Sequence, residues 1–456
     1  MIKNISDDSR EIKAGWLFAA IKGTNSNGED FIPQAIAQGA SAILARPEAA
    51  HLVPPTIEFI AAENPRQALA KLANDFYQPQ PKNIVAITGT DGKTSTAEFT
   101  RQLWEFLGKK SASIGTLGVR GFTSATKVEN TTPGSITLHR LLQEMAQANI
   151  QNVAMEASSH GLHQYRLDGV TPCAAIFTTF GSDHGDYHPT SADYFAAKAR
   201  LFTEILESDK IAVINADDAA ISSFKYRQKT LRSFGMDGNF AKIISAQPTA
   251  KGIAAEIELA GTYWQGNIPL YGSFQLMNIL AAASAIWQAE SDTATLLNAL
   301  PQLQGVAGRL QCAGVHVSGA PIFIDYAHTA QALEKILHCL RPHTKNRLLL
   351  VFGCGGERDK SKRPLMGKIA EELADIIIIT DDNPRNEDPK TIRQEILNTC
   401  PKAQEIGNRR TAIESAIAQL QTGDLLVIAG KGHETTQIIA GKSHHHDDAV
   451  VVRNFL

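Results

Sequence analysis

The run Gly89, Thr90, Asp91, Gly92, Lys93, Thr94 and Ser95 has the residue types of a phosphate cradle. Glycines let backbone N–H groups turn toward phosphate oxygens, and a helix that starts at the loop adds partial positive charge. Lys93 supplies a point charge for β- and γ-phosphates, and Thr94 a hydroxyl for Mg²⁺. The spacing is G-x-x-G-K-T, shorter than the general G-x-x-x-x-G-K-[ST] form. A plain glycine turn with a surface lysine is the competing reading. Flanking sequence decides against it, because residues 83–88 (NIVAIT) read as a buried β-branched strand and the loop runs on into a helix. Phe99, Leu103, Phe106 and Leu107 recur at helical spacing and form its expected apolar face.

A second set of chemical groups follows later strands. Glu156, in Met-Glu-Ala-Ser-Ser-His at residues 155–160, ends a strand at 152–155 and can approach Mg²⁺. Residues 183–188 (DHGDYH) pack two histidines and two aspartates together after a strand at 174–177. Their spacing is not a zinc pattern, so a metal site, a turn and a hydrogen-bond network all remain open. Lys198 lies on an amphipathic helix with Phe195, Ala199 and Phe202 on one stripe, where a lone lysine is by default solvated. Arg385 follows Asn383-Pro384, and by default it too is a turn residue at the surface.

These groups need elements to hold them. A chain of 456 residues exceeds one ordinary core. Three blocks separate at punctuation points: residues 1–81, ending in Gln-Pro-Gln-Pro-Lys; 82–308, opening on the phosphate-loop strand; and 309–456. The first block should hold a helix over 31–40 and a strand over 42–45. Strands near 211–214, 321–324, 348–352, 375–380 and 425–429 alternate with helices near 330–340, 363–373 and 411–420. The expected fold is α/β with three domains. They are a small N-terminal α/β domain, a central P-loop-type mostly parallel sheet, and a C-terminal Rossmann-like doubly wound sheet. His444-His445-His446 is expected in an exposed loop.

Composition excludes several classes. The chain carries 44 Lys and Arg against 47 Asp and Glu, a formal charge of −3, so no nucleic-acid partner is expected. Five scattered cysteines without metal spacing read as reduced thiols. The polar N-terminus does not read as a signal peptide, so none is expected, and no apolar run nears the roughly 20 residues of a membrane helix. A cytoplasmic location is expected.

Taken together and in order, the motifs resemble those of the Mur ligases. They include Asp8-Ser9-Arg10, the 89–94 loop, Asn130-Thr131-Thr132-Pro133, residues 155–161, Asp183-His184 and Tyr194-Phe195-x-x-Lys198. Gly308-Arg309, residues 325–329, 353–364, Asp382-Asn383-Pro384-Arg385 and 430–434 continue the match. The resemblance implies an ATP-dependent amide ligase of peptidoglycan precursor synthesis, working through an acyl phosphate. It implies a first domain for a UDP-linked precursor (Ser9, Arg10), with Asn130, Thr131, Thr132, Ser158, Gln164 and Arg166 on its muramoyl-dipeptide. It implies ATP held by residues 89–95 with Asn278, Arg309 and Asp325. Mg²⁺ would be served by Thr94, Glu156, His184 and a CO₂-derived carbamate on Lys198. Lys93, Glu156, His184 and Lys198 would be the catalytic set. The third domain would bring the amino acid through Arg358, Asp382, Asn383, Arg385, Gly430 and Glu434. The D-N-P-R run implies meso-diaminopimelate, whose distal carboxylate suits an arginine fork. Domain closure would exclude water, and a monomer is expected.

Some positions depart from the family's usual residues: Thr179-Phe180-Gly181-Ser182, Gly185, Gln275, Ala330 and Asn408. The nucleotide loop and Lys198 are intact, so the departures bear on the acceptor. A relative joining an amino acid to a different UDP-linked acceptor is the alternative reading.

Overall fold

The computed structural model describes residues 2–23, 26–124, 126, 128, 130–181 and 187–456. The chain forms two compact units. One comprises Met1–Ile243, Glu258–Thr262 and Met277–Leu297, the other Ile244–Ile257, Tyr263–Leu276 and Asn298–Leu456.

In the first unit, Ile5–Ser6, Leu17–Ala19, Ala42–Ala45 and Glu58–Ala61 make a small parallel sheet in that order. The expected helix over 31–40 is instead a 3₁₀ turn, Gly28–Phe31, leading into an α-helix, Ile32–Ala37. Pro33 accounts for the break, since proline fits only the first turn of a helix. Gly39, at φ +97°, turns the chain away.

The larger sheet of this unit runs Thr230–Gly235, Ile211–Asn215, Ala174–Phe177, Asn83–Thr88, Asn152–Glu156, Ser111–Gly115 and Gly118–Arg120. All neighbours are parallel except the last pair. Its central strands are buried on both faces, which is why they read as continuous β-branched and alanine runs rather than alternating ones. Asn83–Thr88 lies between Ala174–Phe177 and Asn152–Glu156, so three adjacent carboxyl ends deliver loops 89–92, 157–158 and 178–181 to one edge. Ligands bind at such a point in open α/β sheets. The phosphate-loop helix, Lys93–Phe106, buries Phe99 and Leu103 as expected, but Phe106 is exposed and Trp104 is buried in its place. Thr96 and Thr100 are buried as well, so packing covers more of the helix than the apolar stripe predicts.

In the second unit the sheet order is Gln311–Val315, Pro321–Asp325, Leu425–Ala429, Leu348–Phe352, Ile376–Ile379 and Gln404–Glu405. Only the first strand is antiparallel to its neighbour. Hydrophobic clusters cover both faces. Ala330 begins the helix Ala330–Leu340, where Thr329 Oγ1 accepts a hydrogen bond from the Ala332 N–H. Alanine suits that first position as well as proline does. Asn408 caps Arg409–Ala418 by accepting from the Thr411 N–H at 3.0 Å, a role open to an acidic residue too. The histidine run is not a loop. Lys442–His445 is the exposed second strand of an antiparallel hairpin with Thr436–Ile439. All five cysteines are free.

Arg409 and Asp448 are both shut off from solvent and paired through two bonds of 2.7 and 2.8 Å. Arg409 and His446 hold the Asp448 carboxyl well below its usual range against burial, which acts the other way. Asp448→Asn should cost about 3–5 kcal/mol in urea unfolding, because it strands a buried guanidinium. A depressed carboxylate stabilises above its unfolded pKa. In the wild type this contribution should therefore be complete above about pH 4 and decline as acid approaches the folded value. Wild type and variant should converge in stability at low pH.

Candidate active site

Gly89 (φ +147°) and Gly92 (φ +87°) turn the loop between strand and helix in the left-handed region. A Cβ on Gly89 would overlap Thr178 Oγ1, and one on Gly92 would crowd Asn278 Oδ1. The loop is fastened from the neighbouring strand. The Thr90 N–H donates to Thr179 O at 2.8 Å and the Asp91 N–H to Thr179 Oγ1 at 3.0 Å. Thr178 Oγ1 donates to Asp91 O at 2.6 Å, and the Gly181 N–H to Thr90 Oγ1 at 3.0 Å. Thr179 and Gly181, two of the departing positions, thus serve the phosphate loop. Asn278 Oδ1 accepts from Thr96 Oγ1 at 3.3 Å, which puts Asn278 at the start of the loop helix. Ser95 is buried in the first turn.

Thr94 Oγ1 donates to Glu156 Oε2 at 3.1 Å, and both residues are buried. Glu156 also accepts from the Thr116 N–H at 2.7 Å and from Thr116 Oγ1 at 3.3 Å. A hydroxyl and a carboxylate at a phosphate loop form an oxygen-only donor set, which suits a hard cation that completes its shell with phosphate and water. Among the described residues no group of three or more His, Cys, Asp or Glu is placed to hold a metal ion. His184 and Asp183 lie outside the described residues.

Lys93 Nζ donates to the carbonyls of Gly89 and Thr90, each at 2.8 Å. Lys198 Nζ donates to the same Gly89 carbonyl at 2.7 Å and lies 4.4 Å over the Tyr194 ring. Lys198 is 1% exposed, so the default of a solvated lysine is wrong. The helix Ser191–Arg200 turns this side chain inward, and its opposite side carries Arg200, which pairs with Asp168 at 2.8 Å.

The segment after Glu156 is tightly wired. Thr132 Oγ1 donates to Glu156 O at 2.8 Å and accepts from the Ser158 N–H at 2.9 Å. Ser158 caps Ser159–His163. Arg166 donates to Thr132 O at 2.7 Å and to Gln164 Oε1 at 2.8 Å, and burial depresses its pKa. Thr131 and Thr116 hydroxyls are 3.1 Å apart. Thr131, Thr132, Ser158, Gln164 and Arg166 are therefore brought together beside Glu156. Asn130 is exposed at the end of this group. Ser9 and Arg10 make their contacts elsewhere, Ser9 Oγ to Gln34 and Arg10 to Asp8, with Arg10 81% exposed.

In the second unit, four adjacent parallel strands deliver residues 325–327, 430–434, 353–358 and 380–385 to one edge of the sheet. Asp325 accepts from the N–H groups of Leu310 and Ala327, each at 2.7 Å. Burial raises its pKa against the pull of Arg309. The Arg309 guanidinium lies 4.9 Å over the Tyr326 ring, and its carbonyl accepts from Gln275 Nε2 at 3.2 Å. Asn383 joins Glu434 at 2.9 Å, and Lys431, wholly buried, donates to Glu434 at 2.9 Å and Asn383 at 3.3 Å. Asp382 is buried with a raised pKa, countered by Arg409 and Lys431. Gly430 has φ +112° and no room for a Cβ beside Asp382 Oδ2. Arg385 Nη1 donates to Gly356 O at 2.6 Å, and Arg358 is exposed on the facing loop. Sequence reasoning missed Thr116, Arg200 and Lys431. Lys431 sits inside a recognised motif, but nothing local marks Thr116 or Arg200.

A glycine cradle at a sheet switch point, with a buried hydroxyl–carboxylate pair, defines a phosphate-loop nucleotide-dependent α/β enzyme. Family models match in three stretches: the Mur ligase family catalytic domain at residues 1–77, the Mur ligase middle domain at 87–286, and the Mur ligase glutamate ligase domain at 308–432. The chain belongs to the Mur ligase family of ATP-dependent ligases. It is 44% identical to the UDP-N-acetylmuramoyl-L-alanyl-D-glutamate–2,6-diaminopimelate ligase of Mesorhizobium japonicum, over 99% of this chain and 94% of that protein. It is 46% identical to the ligase of the same name from Bradyrhizobium diazoefficiens, over 97% and 92%. A solved structure of a UDP-N-acetylmuramoyl-L-alanyl-D-glutamate–2,6-diaminopimelate ligase superposes with a TM-score of 0.72 at 33% identity, covering 100% of this chain and 94% of that one. The MurF ligase of Thermotoga maritima in complex with ADP shares the fold, with a TM-score of 0.65 at 19% identity over 94% of each chain. The three-domain α/β architecture expected from sequence is that of this family. Among the described residues no helix is long and apolar enough to cross a membrane.

Proposed function

We propose that this chain joins meso-diaminopimelate to the D-glutamate carboxylate of UDP-N-acetylmuramoyl-L-alanyl-D-glutamate, with ATP cleaved to ADP and phosphate. The carrying observation is identity of 43–46% along nearly the whole chain to relatives named for that reaction. The domains are residues 1–81 for the precursor nucleotide, 82–308 for ATP and 309–456 for the amino acid. The protein works as a cytoplasmic monomer.

The carboxylate is a poor acyl donor. It attacks the γ-phosphorus of ATP, ADP leaves, and the acyl phosphate is captured by the amine with loss of phosphate. Residues 89–95 cradle the triphosphate through backbone N–H groups. Lys93 releases the Gly89 and Thr90 carbonyls to reach phosphate oxygens. Asn278, Arg309 and Asp325 hold the remainder of ATP. Thr94 and Glu156, with His184, would hold Mg²⁺, which when bound neutralises phosphate charge. Ser9 and Arg10 take the uridine nucleotide. Asn130, Thr131, Thr132, Ser158, Gln164 and Arg166 orient the dipeptide, and Arg166 is charged for its carboxylate. Lys198 adds CO₂ as a neutral amine, forming an N–C bond and releasing a proton. Its burial against the Gly89 carbonyl, which Lys93 also meets, places it at the phosphate loop and supports this. Arg358 and Arg385 take the two carboxylates of diaminopimelate, and Asp382, Asn383, Gly430 and Glu434 its distal ammonium.

Phosphate release from ATP tests the reading. UDP-N-acetylmuramoyl-L-alanyl-D-glutamate with diaminopimelate should give stoichiometric phosphate and amide. Lysine in its place should give little, and omission of the amino acid almost none. Turnover with another UDP-linked acceptor, and none with this one, would replace the assignment.

A further inference from the structure

Two loops of the second unit carry the arginines assigned above to the two ends of the amino acid. Arg358 stands on the loop after Leu348–Phe352, and Arg385 on the loop after Ile376–Ile379. One residue that faces no substrate in that scheme joins these loops. Glu387 accepts two bonds of 2.8 Å from the Arg363 guanidinium, an ion pair of 3.0 Å from Lys360, and the Glu357 N–H at 3.1 Å. Arg363 is wholly buried, and it also reaches Glu395 at 2.7 Å and the Gly355 carbonyl at 3.3 Å. The loops touch again where the Gly356 N–H donates to Asn383 O at 2.9 Å and Arg385 Nη1 to Gly356 O. Arg385 itself has no freedom to compensate. Its backbone is at φ +56°, its N–H is held by Ile438 O at 2.9 Å, and its carbonyl accepts from the Ala440 N–H at 2.6 Å.

We propose that the Arg363–Glu387 pair is a specificity-determining staple that fixes the spacing between Arg358 and Arg385, and thereby the chain length of the diamino diacid accepted. The proposal rests on the diaminopimelate reading. A ligand with a charged group at each end is measured by the distance between the groups that bind it. Two loops joined only by backbone contacts would tolerate a change of one methylene, whereas a bidentate, partly desolvated ion pair resists being stretched. Glu387 holds the Glu357 N–H and Arg363 the Gly355 carbonyl, so slackening of the pair frees the Arg358 loop relative to the anchored Arg385. Arg363, Lys360 and Glu387 are positioning residues and touch no substrate.

The test compares kcat/KM for 2,5-diaminoadipate, 2,6-diaminopimelate and 2,7-diaminosuberate, with ATP and the UDP-dipeptide saturating. One methylene in a shaped site is worth roughly 10–200-fold, so the wild type should discriminate on that scale. Glu387→Gln and Arg363→Lys should lose at least about tenfold of that discrimination, with the KM values of ATP and UDP-dipeptide unchanged. Glu387→Asp keeps the charge on a shorter arm and should move preference toward diaminoadipate, so the proposal stays testable if the other variants fold poorly. A pair that merely stabilises the domain would lower all three rates together and leave their ratios as in wild type, and that result overturns the proposal. If the wild type turns over none of the three diacids, the diaminopimelate reading has failed instead.

Discussion

Lys198→Ala should lower ligase turnover by roughly 10²–10³-fold or more, the scale of losing one preorganised charged group at a phosphoryl-transfer centre. The side chain is buried beneath the phosphate loop and donates to the Gly89 carbonyl. Burying an ammonium there is unfavourable unless the site uses it. On the proposed carbamate, the lost function is an anionic oxygen near the phosphate, so millimolar acetate or formate should restore part of the rate. An unmodified lysine acting as a cation predicts the reverse, with no gain from carboxylates and some from Lys198→Arg. Phosphate release with both substrates present distinguishes the two, and full activity in the alanine variant removes Lys198 from the chemistry.

Arg385→Ala should raise the KM for diaminopimelate by the equivalent of about 2–5 kcal/mol, the cost of truncating one member of a buried charge pair. The KM values for ATP and the UDP-dipeptide should not move. Part of the guanidinium is already committed, because Nη1 donates to Gly356 O. The fork therefore meets its ligand prealigned, and little side-chain entropy is left to lose on binding. Arg385→Lys should recover only a fraction, because an ammonium cannot serve the carbonyl and a carboxylate in one plane. Steady-state kinetics with diaminopimelate and lysine would show discrimination collapsing. A loss equal for both amino acids, or no larger than a surface substitution gives, would put Arg385 outside the site.

The strand–loop–helix at 83–106, the position of Glu156 at a strand end and the alternation of strands and helices were all legible in the chain. Their signals are local: β-branched runs, glycines at fixed spacing and helical periodicity. Lys198 shows where local reading stops. On its own helix it is an ordinary lysine, and only the resemblance of the motifs, not its neighbours, gave it a role. The helix Lys93–Phe106 likewise buries Trp104 rather than Phe106, because its neighbours in space decide which stripe is covered.

Sequence by itself determined the elements, their order and the types of group at each strand end, since propensity, glycine geometry and hydrophobic period act over a few residues. Tertiary structure alone decided the pairings. Examples are Thr94 with Glu156 across 62 positions, Lys198 with Gly89 across 109, and Arg363 with Glu387 across 24. Such contacts are set by the order of strands in a sheet and by which loops fall on the same edge. No local pattern encodes that order, because it follows from how separate hydrophobic faces are buried together.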